Sequence, residues 1–130
     1  MTRNRQSSRS AGTSFETLMA GFLNYHVDDR IERRRMYGSK DRGDIASVRC
    51  FKGGRVVVEC KDESGEYAGR LGQWMDEAER ERGNDDAIAC AVMAKRRATR
   101  LPGEQWVIMT ADDFVALLTG ERPQAGWRAA

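Results

Sequence analysis

Val56-Val57-Val58-Glu59-Cys60-Lys61 is the stretch that most limits how this chain folds. Three β-branched residues behind Gly53-Gly54 predict a buried strand entered from a tight turn. Alternate side chains of a strand point the same way, so Val56, Val58 and Cys60 make an apolar face while Glu59 and Lys61 share the other. The preceding GDIASVRC reads as the antiparallel partner, which makes residues 43–61 a hairpin whose parity puts Asp44 on the face of Glu59 and Lys61. A turn centred on Gly53-Gly54 sets Glu59 opposite Val48 and leaves Asp44 four residues further on, roughly 13 Å away at the usual rise, too far to share one ion. A turn placed one residue earlier, or a bulge, halves that offset. Closeness of Asp44 to Glu59 is therefore a requirement on the fold. Two carboxylates brought together in a half-buried place attract a hard divalent cation such as Mg²⁺, and Lys61 then lies beside the ion and any anion it holds. On the plainer account, Glu59 and Lys61 are a surface ion pair of little energetic value.

At 130 residues and 40% apolar, the chain suits one compact domain. Cys50, Cys60 and Cys90 fall in apolar strand-like runs without a Cys-x-x-Cys pair, and there is a single histidine, so neither a disulfide framework nor a zinc site is indicated. The opening MTRNRQSSRSAG is basic and polar with no hydrophobic stretch behind it, and nothing approaches a membrane span; the expectation is a cytoplasmic protein with no membrane partner. The net charge of +2 conceals segregation. Residues 30–55 carry nine basic against three acidic side chains, residues 62–86 reverse this with nine acidic against three basic, and Lys95, Arg96, Arg97 and Arg100 form a second positive cluster. Such blocks are either solvated faces or a division of labour, one face toward phosphates and one toward water.

Residues 1–12 have the composition of a disordered basic tail. A helix follows from Thr13 or Ser14, with Phe15, Leu18, Met19, Phe22, Leu23 and His26 as its buried stripe and Glu16, three after Thr13, as the acidic member of a capping box. His26 reads as a packed imidazole or helix cap in preference to a general base. Residues 30–37 read as a basic edge strand with Arg33 and Arg35 on one face, charged against aggregation or for phosphate contact. Residues 38–43 form a loop that delivers Asp44, and Asp41 within it is left out of the expected ligand set. A second helix over 65–83 buries Tyr67, Leu71, Trp74, Met75 and Ala78 and exposes Arg70, Gln73 and Glu77. Residues 87–94 are a strand covered on both faces, residues 95–102 a basic loop, and residues 106–109 a short strand. Thr110 and Asp113 open a last helix whose Phe114, Leu117 and Leu118 point inward, and residues 120–130 are a C-terminal tail. This order predicts an α/β fold, a mixed β-sheet flanked by helices.

An acidic residue after glycine at one strand's start, then Glu-x-Lys on the next, resembles the signature of the PD-(D/E)xK nuclease superfamily, with its restriction-endonuclease-like fold. SFETLMAGFL, YGSKDRGDI, VVVECKD and LGQWMDEAERERG together resemble the Holliday-junction resolvase branch, over residues 13–119, although Gly43 stands where the family has Pro. The resemblance implies a Mg²⁺-dependent endonuclease, with Mn²⁺ as a substitute, that acts on branched DNA as a homodimer in a bacterial or phage-infected cell. It implies Asp44, Glu59 and the Cys60 backbone carbonyl as metal ligands, Glu16 as a further metal-site residue, Lys61 as the catalytic cation and Gln73 as an accessory group. Arg33, Arg34, Arg35, Lys40, Arg42, Lys95, Arg96 and Arg97 are then the DNA contacts. The same site also suits a nuclease of linear, mismatched or single-stranded DNA, and the same fold suits an inactive DNA-binding module.

Overall fold

The structure is a computed structural model that describes residues 4–35, 40–63 and 67–126. The expected starts of the Asp44 loop at Gly38 and of the second helix at Gly65 lie outside these residues. Five strands, β1 (Glu32–Arg33), β2 (Ile45–Ala46), β3 (Val56–Lys61), β4 (Ala89–Ala94) and β5 (Trp106–Ile108), form one sheet in sequence order. The β3–β4 pair is parallel and the other three are antiparallel, so the sheet is mixed. Parallel strands need a crossover, and α2 (Leu71–Asp85) supplies it. The remaining helices are α1 (Arg5–His26) and α3 (Ala111–Thr119).

Side-chain alternation sorts the core into two halves. Val56, Val58, Cys60, Ala89 and Met93 pack with Phe15, Met19 and Ala20 of α1 and Ala116 of α3. Val57, Cys90, Val92 and Ala94 pack on the other face with Trp74 and Ala78 of α2. All six residues of β4 are buried, as its unbroken apolar run predicts. Each buried Val contributes on the order of 1.5–3 kcal/mol, which makes β3 and β4 the rigid centre on which the site is built. Glu59 and Lys61, out of phase with Val58 and Cys60, necessarily project toward α2.

The hairpin meets the distance requirement by two devices. Its turn lies earlier than Gly53-Gly54 would centre it: Cys50 N donates to Gly54 O at 2.9 Å, Gly53 N donates to Cys50 O at 2.9 Å, and Arg49 bridges Arg55. Carried on regularly, that register would set Asp44 opposite Cys60. Ile45 instead pairs with Val58, so one extra residue sits on the first strand, and Ser47 with φ 69° marks it. The bulge returns Asp44 to the position opposite Glu59, on the face where both are needed.

Five expectations are corrected. Residues 5–12 are not a disordered tail but the first turns of α1, capped by Asn4, whose side chain accepts from Ser7 N at 2.8 Å. Extending an existing helix fixes one residue per added bond and needs no new nucleus. Thr13 consequently lies inside the helix, so Glu16 is no capping-box residue. On α3 the Thr110 cap forms as expected and Leu117 is partly buried, but Phe114 and Leu118 are 54% and 62% exposed while Asp113 and Ala116 point inward. Of the C-terminal tail, Arg122 is anchored, donating to Ile88 O and Asp113 Oδ1, each at 2.9 Å. His26 is exposed at the end of α1 against Phe22 and Tyr25.

Gly43, which departs from the resembled family's Pro, is demanded by the backbone. Its φ is +94°, a value proline cannot adopt, and a Cβ there would come within 2.9 Å of Val58 O. Gly43→Ala is predicted to lower stability by about 1–3 kcal/mol, read by urea unfolding. Unchanged stability would show that the loop before Asp44 is not held in this conformation.

Candidate metal centre

β2 stops pairing at Ile45, and there Asp44 turns its carboxylate onto the next strand. Asp44 N donates to Val58 O at 2.8 Å, and Cys60 N donates to Asp44 Oδ2 at 2.7 Å. The Asp44 and Glu59 carboxyl groups are thereby brought side by side. Burial and then the Glu59 charge push Asp44 up to about 8. Burial, followed by a hydrogen bond with Glu81, pushes Glu59 up to about 9. Like charges at this separation in a low-dielectric place cannot both ionise cheaply.

Glu81, which the sequence did not single out, and Asp41, which is left out of the expected ligand set, add two carboxyl groups beside Glu59. Glu81 is only 6% exposed and Glu59 8%, yet Oε2 of each finds no donor. Burial raises the Glu81 pKa. Oxygens of Asp41, Glu59 and Glu81 lie within 4.8 Å of one another. The Asp41 loop is tied to α2 by Asn84, whose Nδ2 donates to Asp41 O at 2.9 Å. A signal for Glu81 was present: it stands three after Ala78 and seven after Trp74, on the buried stripe of α2, where a charge calls for an explanation.

Lys61 reaches Glu77 Oε2 at 3.0 Å. Burial pulls its pKa down, but the Glu77 hydrogen bond and the charges of Glu59, Glu77 and Asp44 outweigh this and hold the ammonium above its ordinary value. Glu16 comes across from α1 to accept from Arg33 Nε at 2.7 Å, and its charge is felt by both Asp44 and Cys60. Gln73 is exposed, one turn before Glu77 on α2. The structure thus brings Asp44, Glu59, Lys61 and the Cys60 backbone together, with Glu16 at their edge.

The basic residues divide. Arg34 and Arg42 join Arg49 and Arg55 in a crevice of about 410 Å³ that Asn84, Asp85 and Asp86 also line; Arg55 is paired with Asp85, and Arg34 Nε is buried without a partner. Arg33 is engaged by Glu16, while Arg35 and Lys40 are exposed. Lys95 N donates to Lys61 O at 2.9 Å, which sets the 95–100 loop at the Lys61 end of the sheet. Lys95 Nζ is used inside that loop on Arg96 O and Thr99 O, Arg96 stacks over Trp106, and Arg97 is exposed.

A second cluster, Glu79, Cys90 and Asp113, is structural. Asp113 accepts from Cys90 N, Thr110 Oγ1 and Arg122 Nη1, closing the edge of β4 beyond the end of β5. Burial and the Asp113 charge push the Cys90 thiol up to about 12, the reverse of what a metal-binding thiolate needs. No helix among the described residues is long and apolar enough to cross a membrane.

No family model, curated protein or solved structure matches the chain.

The raised carboxyls fix a pH dependence. In the folded metal-free protein Asp44 and Glu59 keep protons that the unfolded chain releases above its ordinary values of 3.8 and 4.5. Their contribution to stability is therefore full below those values and is lost as pH rises toward about 8 and 9. With chelator present, the melting temperature is predicted to fall between these limits, and Glu59→Gln to flatten the fall. A profile that rises over this range contradicts the buried carboxyl pair.

Proposed function

We propose that the protein is a metal-dependent DNA endonuclease of restriction-endonuclease-like fold, with branched DNA as its substrate. The observation that carries the reading is the Asp44–Glu59 carboxyl pair, flanked by the Lys61 ammonium and opening beside a crevice lined by Arg34, Arg42, Arg49 and Arg55. Phosphodiester hydrolysis calls for that combination: cations to hold the phosphate and a site that concentrates positive charge on the scissile group.

The donor set fits a hard divalent ion, because it is all oxygen and includes the unpartnered Oε2 of Glu59. Asp44, Glu59 and the Cys60 carbonyl would hold Mg²⁺, with Glu16 contributing directly or through water. Bound there, the ion supplies a Lewis acid for the phosphate and lowers the pKa of a water. Asp44 and Glu59 give up their protons on loading, so metal affinity rises with pH. Lys61, kept protonated by Glu77, neutralises charge that develops on the phosphate. Arg34 and Arg42 of the neighbouring crevice hold the DNA backbone beside the cut and make binding salt-dependent.

A four-way junction is cut on two opposed strands, which one small site does not do without dissociating; a two-fold dimer supplies two sites in a fixed relation. Trp106 and Val107 on β5, with Phe114 and Leu118 on α3, are exposed apolar side chains suited to that contact.

End-labelled four-way junction, linear duplex and single strand, each incubated with Mg²⁺ and with chelator, test the reading. Junction cleavage with Mg²⁺ alone is expected. Asp44→Asn, Glu59→Gln and Lys61→Ala each slow it by roughly 10²-fold or more while DNA binding persists. Glu16→Gln lowers turnover and moves the melting temperature little; wild-type turnover in that variant assigns Glu16 to its Arg33 ion pair alone. Cleavage of linear duplex as readily as junctions moves the substrate to unbranched DNA, and no cleavage of any substrate leaves a DNA-binding module.

A further inference from the structure

We propose that Asp41, Glu59 and Glu81 form a second divalent-cation position on the α2 side of the sheet, sharing Glu59 with the Asp44 position. The inference deepens the metal-dependent reading and shares one ligand with it, Glu59, because Asp41 and Glu81 are not among the ligands of the Asp44 position.

Three observations carry it. One oxygen from each of the three residues lies within 4.8 Å of the others, a spacing a single small cation spans. Glu59 and Glu81 are more than nine-tenths buried side by side, and each carries an Oε2 without a donor. A buried carboxylate oxygen lacking any donor is costly, and a cation is the partner that three converging carboxyl groups accept. Third, the cluster has an entrance: a crevice of about 370 Å³ lined by Asp41, Glu59, Glu77, Arg80, Glu81 and Asn84.

The surrounding groups leave the place to an ion. Lys61 is held by Glu77, and Arg80 lines the crevice without donating to either orphaned oxygen. Asp41 accepts from Gly43 N through Oδ1 at 2.9 Å, which fixes its carboxylate beside that of Glu81. Asn84 clamps the Asp41 backbone to α2, so loop and helix present their carboxylates as one unit. Oxygen donors alone select a hard cation, Mg²⁺, Mn²⁺ or Ca²⁺, over the softer metals that seek sulfur or imidazole. A carboxylate common to two positions is the arrangement by which paired metal ions are held close.

The test counts Mn²⁺ bound by the full-length protein without DNA at pH 8, from the loss of the free-ion electron paramagnetic resonance signal. Wild type is expected to bind two ions. Glu81→Gln and Asp41→Asn each lose one, weakened at least tenfold, and keep the one that Asp44→Asn loses. Asp41 lies on a loop, so its variant keeps the test decisive should Glu81→Gln not fold. A wild type that binds ions which Glu81→Gln and Asp41→Asn retain undiminished overturns the second position, even where the protein cuts DNA. Two ions with the expected losses and no cleavage of any DNA sustain the position and remove the nuclease reading.

Discussion

Asp44 meets Glu59 only because the first strand of the hairpin carries one residue too many. The turn at residues 51–53 starts the strands in a register that would turn Asp44 toward Cys60, and the extra residue at Ser47 restores the register in which Ile45 pairs with Val58. Gly43, with its left-handed φ, then lets the chain leave the sheet against Val57 and Val58. Moving either device by one residue sends Asp44 to the opposite face, since side-chain direction alternates along a strand. The bulge is held by the core around it: Ile45 and Val58 are buried against α1, so slipping the register would expose them.

What this geometry creates is electrostatic frustration in a rigid place. Asp44, Glu59 and Glu81 are all displaced above the ordinary carboxylate range, with burial as the first cause. Desolvating a carboxylate costs several kcal/mol, and proximity of like charges adds to it. A fold tolerates such an arrangement when the rest of the core is secure, and the β3–β4 pair, buried but for Lys61, provides that security. Strongly displaced titratable groups converging beside a crevice are characteristic of functional sites. The cations are arranged around this centre and not within it: Lys61 against Glu77, Arg33 against Glu16, and the four arginines in the adjoining crevice.

Much of the frame was legible in the sequence because it follows from alternation. Val56 to Lys61 sorts itself into two faces by position alone, and the apolar run at β4 announces a strand covered on both sides. What escaped were polar groups that replace apolar ones in the interior. Glu81 occupies an inward position of α2 and Asp113 an inward position of α3, where it accepts from Cys90 N and leaves Phe114 and Leu118 outside. A periodicity argument ranks positions by hydrophobicity, so it passes over Glu81, reads Asp113 only as the capping-box partner of Thr110 and mistakes the face of α3. The first turns of α1 escaped for another reason: they touch no core and so carry no pattern, and the Asn4 cap is a local signal that the polar composition concealed. The register could be stated only as a requirement, since a one-residue bulge leaves no compositional trace at Ser47.

Diffraction from a crystal soaked in Mn²⁺, collected to locate the metal by its anomalous signal, tests most directly the claim that Asp44 and Glu59 are brought together to hold a cation. The account predicts a peak at ligand distance from both carboxylates and from the Cys60 carbonyl oxygen, with Lys61 still on Glu77. A map in which Asp44 and Glu59 point to different faces of the sheet, or in which Glu59 is paired with Lys61 and no metal lies between the carboxylates, would contradict it.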